Sequence, residues 1–361
     1  MLTMESNELK RAILGIVALA LVAIWAGTGW AKKQNPPAGM LAASAENEVV
    51  VVNPASGEAL AFAAGPVAWL FPAPGGTLFA PDLVHGKTAV INLLSLTAGD
   101  PIDGVTMPRF GSRTDRYVVV AKQLLIVSYP ERALMNTYDI EFQHPWQTEV
   151  LVGNTILIVL ERLPDGGGES VLSVVQLTDG TLVYRRPLRG DIRHFAVSPE
   201  LGLLALADAT SNRVILADPA TLTPAASFEV PGTPVDVLFV ENGNLLVVGV
   251  EREDGGGEID IWKIKHEKKE GWVRKKEWKV PLAASPVRLV ASPDFRHVAA
   301  GLENAQLQVF EVDEKQLVVT VDLPGPPRDL VWTDPFSEGP LLPDWSDMKP
   351  PEVDLSGFSG G

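Results

Sequence analysis

Apolar residues along this chain come in short runs separated by turns of Gly, Pro, Asp and Asn, and one phrase recurs: Pro-Val, an apolar run, a turn and a second apolar run. It stands as Pro66-Val67-Ala68-Trp69-Leu70-Phe71, Pro234-Val235-Asp236-Val237-Leu238-Phe239 and Pro286-Val287-Arg288-Leu289-Val290-Ala291. Short apolar runs bounded by turn residues predict strands and hairpins. From about residue 46 to 333 no stretch of useful length carries helical periodicity.

A four-stranded unit with apolar residues on both faces must be covered by neighbours on both sides. The repeat therefore predicts an all-β fold, a seven-bladed β-propeller. Six units open near Pro66, Arg109, His144, Gly190, Pro234 and Pro286. The seventh is expected from the two ends of the domain, with 327–332 as its first strand and 49–52 and 58–62 as its closing strands. Such closure removes exposed sheet edges. The predicted organisation is an N-terminal segment over 1–33, a linker over 34–45, the propeller over 46–333, and a Pro/Gly/acidic tail over 334–361 that partly closes the last blade.

The stretch 212–222, followed by Val230-Pro231-Gly232-Thr233-Pro234-Val235-Asp236-Val237, resembles the YVTN or WD40-like class of bacterial propeller repeats. That class shows a valine-rich strand, an Asp-x-x-Thr turn and a Gly-x-Pro entry to the next blade. Ser292-Pro293-Asp294 and Ser198-Pro199-Glu200 resemble its Ser-Pro-Asp turn. The resemblance spans roughly 46–333 and is strongest from about 190 to 323. It implies a fold and not an activity, because members include scaffolds, binders and enzymes.

Residues Ala12 to Ala31 form an uncharged apolar run of about 20 residues, long enough to cross a hydrocarbon core of roughly 30 Å. Lys10 and Arg11 precede it, Lys32 and Lys33 follow it, and Trp25 and Trp30 lie near its far end, where indoles suit the headgroup level. One N-terminal transmembrane helix is expected, with the propeller on the extracytoplasmic side of a bacterial cytoplasmic membrane; a cleaved secretory signal ending at Gly29-Trp30-Ala31 is the alternative. The formal net charge of −15 argues against nucleic acid as a partner. The chain has no cysteine, which removes disulfides and thiolate chemistry.

Catalytic and cofactor motifs of the common enzyme classes are missing from the sequence, and its five histidines, at 85, 144, 194, 266 and 297, lack metal-ligand spacing on any one element. No cofactor and no metal are expected. The first strand of each blade lines a propeller's central channel, and alignment of the units puts Ala68, Asp115, Trp146, His194, Asp236, Arg288 and Asp329 at one level of it. They form a polar funnel for a small ligand, or a self-neutralising set of charges at a wet channel mouth. Two matching loops, 161–169 and 251–258, carry carboxylates around triple glycine; their glycines suit hairpin turns, with calcium binding as the alternative.

Charge provides the sharpest local contrast. Between Lys263 and Lys279 eight basic residues face three glutamates, a local net of +5. Lys265, Lys268, Lys269, Arg274, Lys275 and Lys276 interleave with Trp272 and Trp278, and the stretch is long enough to project as a β-ribbon. It is a candidate contact arm for anionic headgroups or for an acidic protein. Together these features favour a non-catalytic, membrane-tethered propeller that binds other protein subunits as a scaffold or accessory subunit. The alternative is a propeller-type enzyme, a lactonase-like hydrolase or a quinone-cofactor oxidoreductase, working at the channel mouth with His194, Asp236 and Arg288. A sensor that binds glycan or peptide through its loops is a third possibility.

Overall fold

The computed structural model describes residues 38–334 apart from 68, 83, 104–107, 111–115, 121–122, 129–133, 152–154, 163–167, 241–242 and 244. The expected membrane segment over 12–31 and the tail over 335–361 lie outside the described residues. Among the described residues no helix is long and apolar enough to cross a membrane.

Seven antiparallel sheets form the body. The edge strand of each faces the centre of the ring: Phe71–Ala73, Pro108–Phe110, Pro145–Leu151, Ile192–Ser198, Thr233–Val240, Pro286–Ala291 and Pro327–Thr333. The seven-bladed β-propeller expected from the repeat is the observed fold. In the first blade the outermost position is shared by two short strands, Thr97–Ala98 and Ile102–Asp103, both paired with Lys87–Asn92.

Strands inside a blade read as continuous apolar runs because each of their faces meets a different blade. Val50 and Val52 pack with Ala299, Leu307 and Val309 of the sixth blade. Val49 and Val51, pointing the other way, pack with Leu70, Leu78 and Ile91 of the first. The outer strand of the blade that carries these valines, Ala59–Ala63, is mostly exposed. The large hydrophobic clusters thus lie between blades, and a smaller one, Tyr117, Val119, Leu125 and Val127, belongs to the second blade alone.

The seventh blade joins the two ends of the domain. Pro327–Thr333 pairs with Met40–Ala45, in the register Met40↔Thr333 through Ser44↔Asp329. Glu48–Val52 and Ala59–Ala63 complete the sheet. The blade therefore takes three strands from the N-terminal side rather than the two expected, and Met40–Ala45, expected to be linker, is the strand that meets the C-terminal one. The four described strands of this sheet are Pro327–Thr333, Met40–Ala45, Glu48–Val52 and Ala59–Ala63; the tail expected to help close it lies outside the described residues. Its small residues hide the strand Met40–Ala45 in the sequence, yet it is buried on both faces: Leu41, Ala43 and Ala45 are fully buried facing the sixth blade, and Ala42 is buried against the first.

The Gly-x-Pro connector has a steric cause. A Cβ on Gly232 would run into Glu251 O, and a Cβ on Gly325 would come within 2.6 Å of Glu46 Cγ. In each case the chain entering a blade runs across the second hairpin of that blade, too close for a side chain. Removal of residues 1–46 leaves Pro327–Thr333 and Glu48–Val52 without a partner strand between them. The shortened chain is expected to elute from size exclusion as oligomers or aggregate, whereas removal of 1–37 leaves the domain monomeric and folded.

Candidate functional site

A bulge recurs near the start of the inner strands, between Pro145 and Gln147, Pro234 and Asp236, and Pro286 and Arg288, and again between Ile192 and Phe195. One extra residue re-aims the side chain that follows it, and that side chain reaches the next blade. Gln147 accepts from Phe195 N at 2.9 Å through Oε1 and donates to Phe195 O at 2.8 Å through Nε2. Asp236 accepts from Leu289 N at 2.8 Å, and Asp329 accepts from Leu70 N at 2.9 Å. Each aspartate also accepts from the amide that follows it.

Arg288 joins these points. Its Nη1 lies 3.3 Å from Asp236 Oδ2, and its Nε lies 3.3 Å from Asp329 Oδ1. The same Nη1 faces both ring nitrogens of His194, in close contact with Nδ1 and at 3.2 Å from Nε2. His194 Nδ1 is 3.3 Å from Gln147 Oε1 and 3.9 Å from Asp236 Oδ1. The fold thus brings together His194, Asp236, Arg288 and Asp329 as the aligned level expected.

The third blade departs from that alignment: Gln147 holds the channel level, and Trp146 is the bulged residue. Trp146 is 38% exposed, donates from Nε1 to Arg193 O at 2.9 Å, and stacks under the Arg162 guanidinium at 4.8 Å. Counting two residues on from the proline finds this position, since Pro145, Pro234, Pro286 and Pro327 then lead to Gln147, Asp236, Arg288 and Asp329. In the first blade the hydrogen bond to Leu70 N makes Trp69 the equivalent position; Ala68 lies outside the described residues. In the second blade the inner strand carries Arg109, and Asp115 follows it in a segment outside the described residues.

Arg109 and Glu149 are channel residues that the sequence alignment missed. Arg109 donates from Nε to Thr148 Oγ1 at 2.7 Å and covers the Phe71 ring at 4.4 Å. Burial lowers its pKa to about 10, against the opposing pull of the Asp329 carboxylate. Burial raises the Glu149 carboxyl to about 7, only partly offset by Arg109 and Arg288. Burial and then the Arg288 charge hold His194 well below its ordinary value, so it is a neutral imidazole. Burial also pushes Asp236 up, opposed by Arg288 and two backbone N–H groups. For Arg288, burial works against the charge, but Asp236 and Asp329 outweigh it and raise its pKa.

The basic ribbon consists of Gly257–Glu267 and Gly271–Leu282, the longest strands among the described residues. Its aromatic residues face inward. Trp262 is fully buried, Trp272 packs on the cluster between the fourth and fifth blades, and Trp278 on that between the fifth and sixth. Arg274 lies over Trp262 at 4.7 Å, and Lys275 pairs with Glu267 at 2.7 Å. Lys265, Lys268 and Lys269 are exposed at the tip and make no ion pair with any described residue. The side chain of Lys276 is outside the description. In the loop after Glu251, Gly255 has φ +80° and Asp254 accepts from Gly256 N at 3.1 Å, as a hairpin turn requires. Among the described residues no group of three or more His, Asp or Glu is placed to hold a metal ion.

Comparison with known proteins shows the same architecture. No family model matches the chain, and no curated protein matches it. Among solved structures, it is similar to Kuenenia stuttgartiensis hydrazine synthase, with a TM-score of 0.61 and 12% identity over 82% of this chain and 99% of that one. It is also similar to a functionally unknown protein from Desulfotomaculum acetoxidans, with a TM-score of 0.60 and 11% identity over 78% and 95%. A putative 6-phosphogluconolactonase from Bacteroides fragilis gives a TM-score of 0.59 and 11% identity over 82% and 98%. At these identities the likeness shows the propeller fold alone.

Two outcomes follow from the charge arrangement. Arg288→Met leaves two buried carboxylates facing each other and should cost roughly 3–5 kcal/mol in urea unfolding, with much of it recovered when Asp236→Asn and Asp329→Asn are added. Because the folded pKa of Glu149 is raised from 4.5 to about 7, its favourable contribution is present below the unfolded value and lost as pH rises through about 7. Wild type should therefore lose roughly 1–2 kcal/mol relative to Glu149→Gln between about pH 5 and 9, after discounting for solvent in the channel. Parallel unfolding curves across that range would show no such slope.

Proposed function

We propose that this protein is a non-catalytic, membrane-tethered propeller of the YVTN or WD40-like kind, which docks other protein subunits on the extracytoplasmic side of a bacterial cytoplasmic membrane. The basic ribbon carries the reading: Lys265, Lys268 and Lys269, without an ion pair to any described residue, are exposed at its tip in a protein of net charge −15. With its tryptophans turned inward, the ribbon offers charge rather than apolar area, which suits steering of an acidic partner. The apolar run at 12–31 supplies the tether in this reading.

Features of the channel weigh against the enzyme alternative. A general base needs a nitrogen free to take a proton, and both ring nitrogens of His194 face Arg288, which is itself held by Asp236 and Asp329. The named activities of similar folds do not favour one function over another.

Mild-detergent extraction followed by affinity capture of the native protein should recover a defined set of partner subunits. Replacing Lys265, Lys268 and Lys269 by Glu should lower that recovery roughly tenfold while leaving the unfolding free energy within about 0.5 kcal/mol. Recovery only as a free monomer, or a charge-reversed ribbon that captures the same partners equally well, would count against the proposal.

A further inference from the structure

Arg288 and Arg109 both reach the channel, and they are engaged differently. Arg288 is locked between Asp236 and Asp329. Arg109 uses only its Nε, on Thr148 Oγ1, and lays its plane over Phe71. Stacking occupies the face of a guanidinium and leaves its edge available for forked hydrogen bonding. Among the described residues Nη1 and Nη2 of Arg109 have no hydrogen-bond or ion-pair partner.

Arg109 lines a pocket at the junction of the first three blades, with Trp69, Phe71, Pro145, Trp146 and Thr148. The pocket is half open, and the space within it is about 30 Å³, room for about two waters and so for a carboxylate group. The remainder of a ligand would extend past the aromatic walls into the channel. Trp146 is a fixed wall, held through Nε1 on Arg193 O and by the Arg162 stack. The Glu149 and Asp329 carboxylates act on Arg109 from the channel side, so a dianion such as phosphate meets repulsion that a monoanion feels less.

We propose that this pocket binds a monocarboxylate, the group of a small organic acid or of a peptide chain end, forked on the free edge of Arg109 with its apolar body against Trp69 and Trp146. The site is independent of the ribbon and of the subunit-docking function.

Titration calorimetry on the full chain tests it, with benzoate standing for a free acid, N-acetylphenylalanine for a chain end, and benzamide and N-acetylphenylalanine amide as neutral counterparts. Each acid should bind saturably and at least about fivefold tighter than its amide; whichever acid binds more tightly identifies the source. Arg109→Gln should reduce the acids to the level of the amides. Arg109→Lys keeps the charge but not the fork, should weaken them several-fold, and serves as the test if Arg109→Gln does not fold. Arg213→Gln, on the exposed side of the fourth blade, should bind as wild type. Acids no tighter than amides, full affinity in the Arg109 variants, or displacement of benzoate by equimolar inorganic phosphate would overturn the proposal.

Discussion

Ring closure is the constraint on which the rest of this structure depends. The large hydrophobic clusters among the described residues lie between two blades, so the sixth and first blades are covered only when the seventh is assembled between them. That blade exists only if Pro327–Thr333 meets Met40–Ala45, residues nearly 300 positions apart. Bringing such distant segments together carries a large loop-closure entropy, which two extended buried faces then offset. Trp332 strengthens the seam by donating from Nε1 to Ala38 O at 2.8 Å.

The channel applies the same logic with polar groups. Inner strands of neighbouring blades present backbone amides to one another that no ladder satisfies, and buried amides need partners. Gln147, Asp236 and Asp329 supply them across the blade junctions. Two aspartates so placed repel, and Arg288 between them neutralises both. His194 completes the set as a neutral ring. The charges at this level are thus first a means of joining blades, and Arg109 differs from them in that its terminal nitrogens have no partner among the described residues.

Much of this was legible in the chain. The Pro-Val phrase and the runs apolar on both faces predict stacked four-stranded units, and the valines at 49–52 predict a blade finished from the other end. His194, Asp236, Arg288 and Asp329 fall together because the residue two past the opening proline, or past Ile192 in the fourth blade, repeats with the blade. Trp146 and Gln147 were exchanged because a bulge shifts register by one residue, and a one-residue shift reverses the side a residue faces. Met40–Ala45 was missed because Ala and Ser carry little strand preference, and their burial comes from neighbours that sequence does not display.

By itself the sequence determined a strand-built ring of seven units, joined at its ends, with a positively charged ribbon on one blade. These are properties of local periodicity and composition, which do not depend on what packs against them. Only the tertiary structure decided which carboxylate oxygens meet which amides, why Arg288 is held by two carboxylates while Arg109 pairs with none of the described residues, and that the ribbon's tryptophans turn inward. Those outcomes depend on distances between blades remote in sequence, where a shift of one residue or one hydrogen bond reverses the role of a side chain.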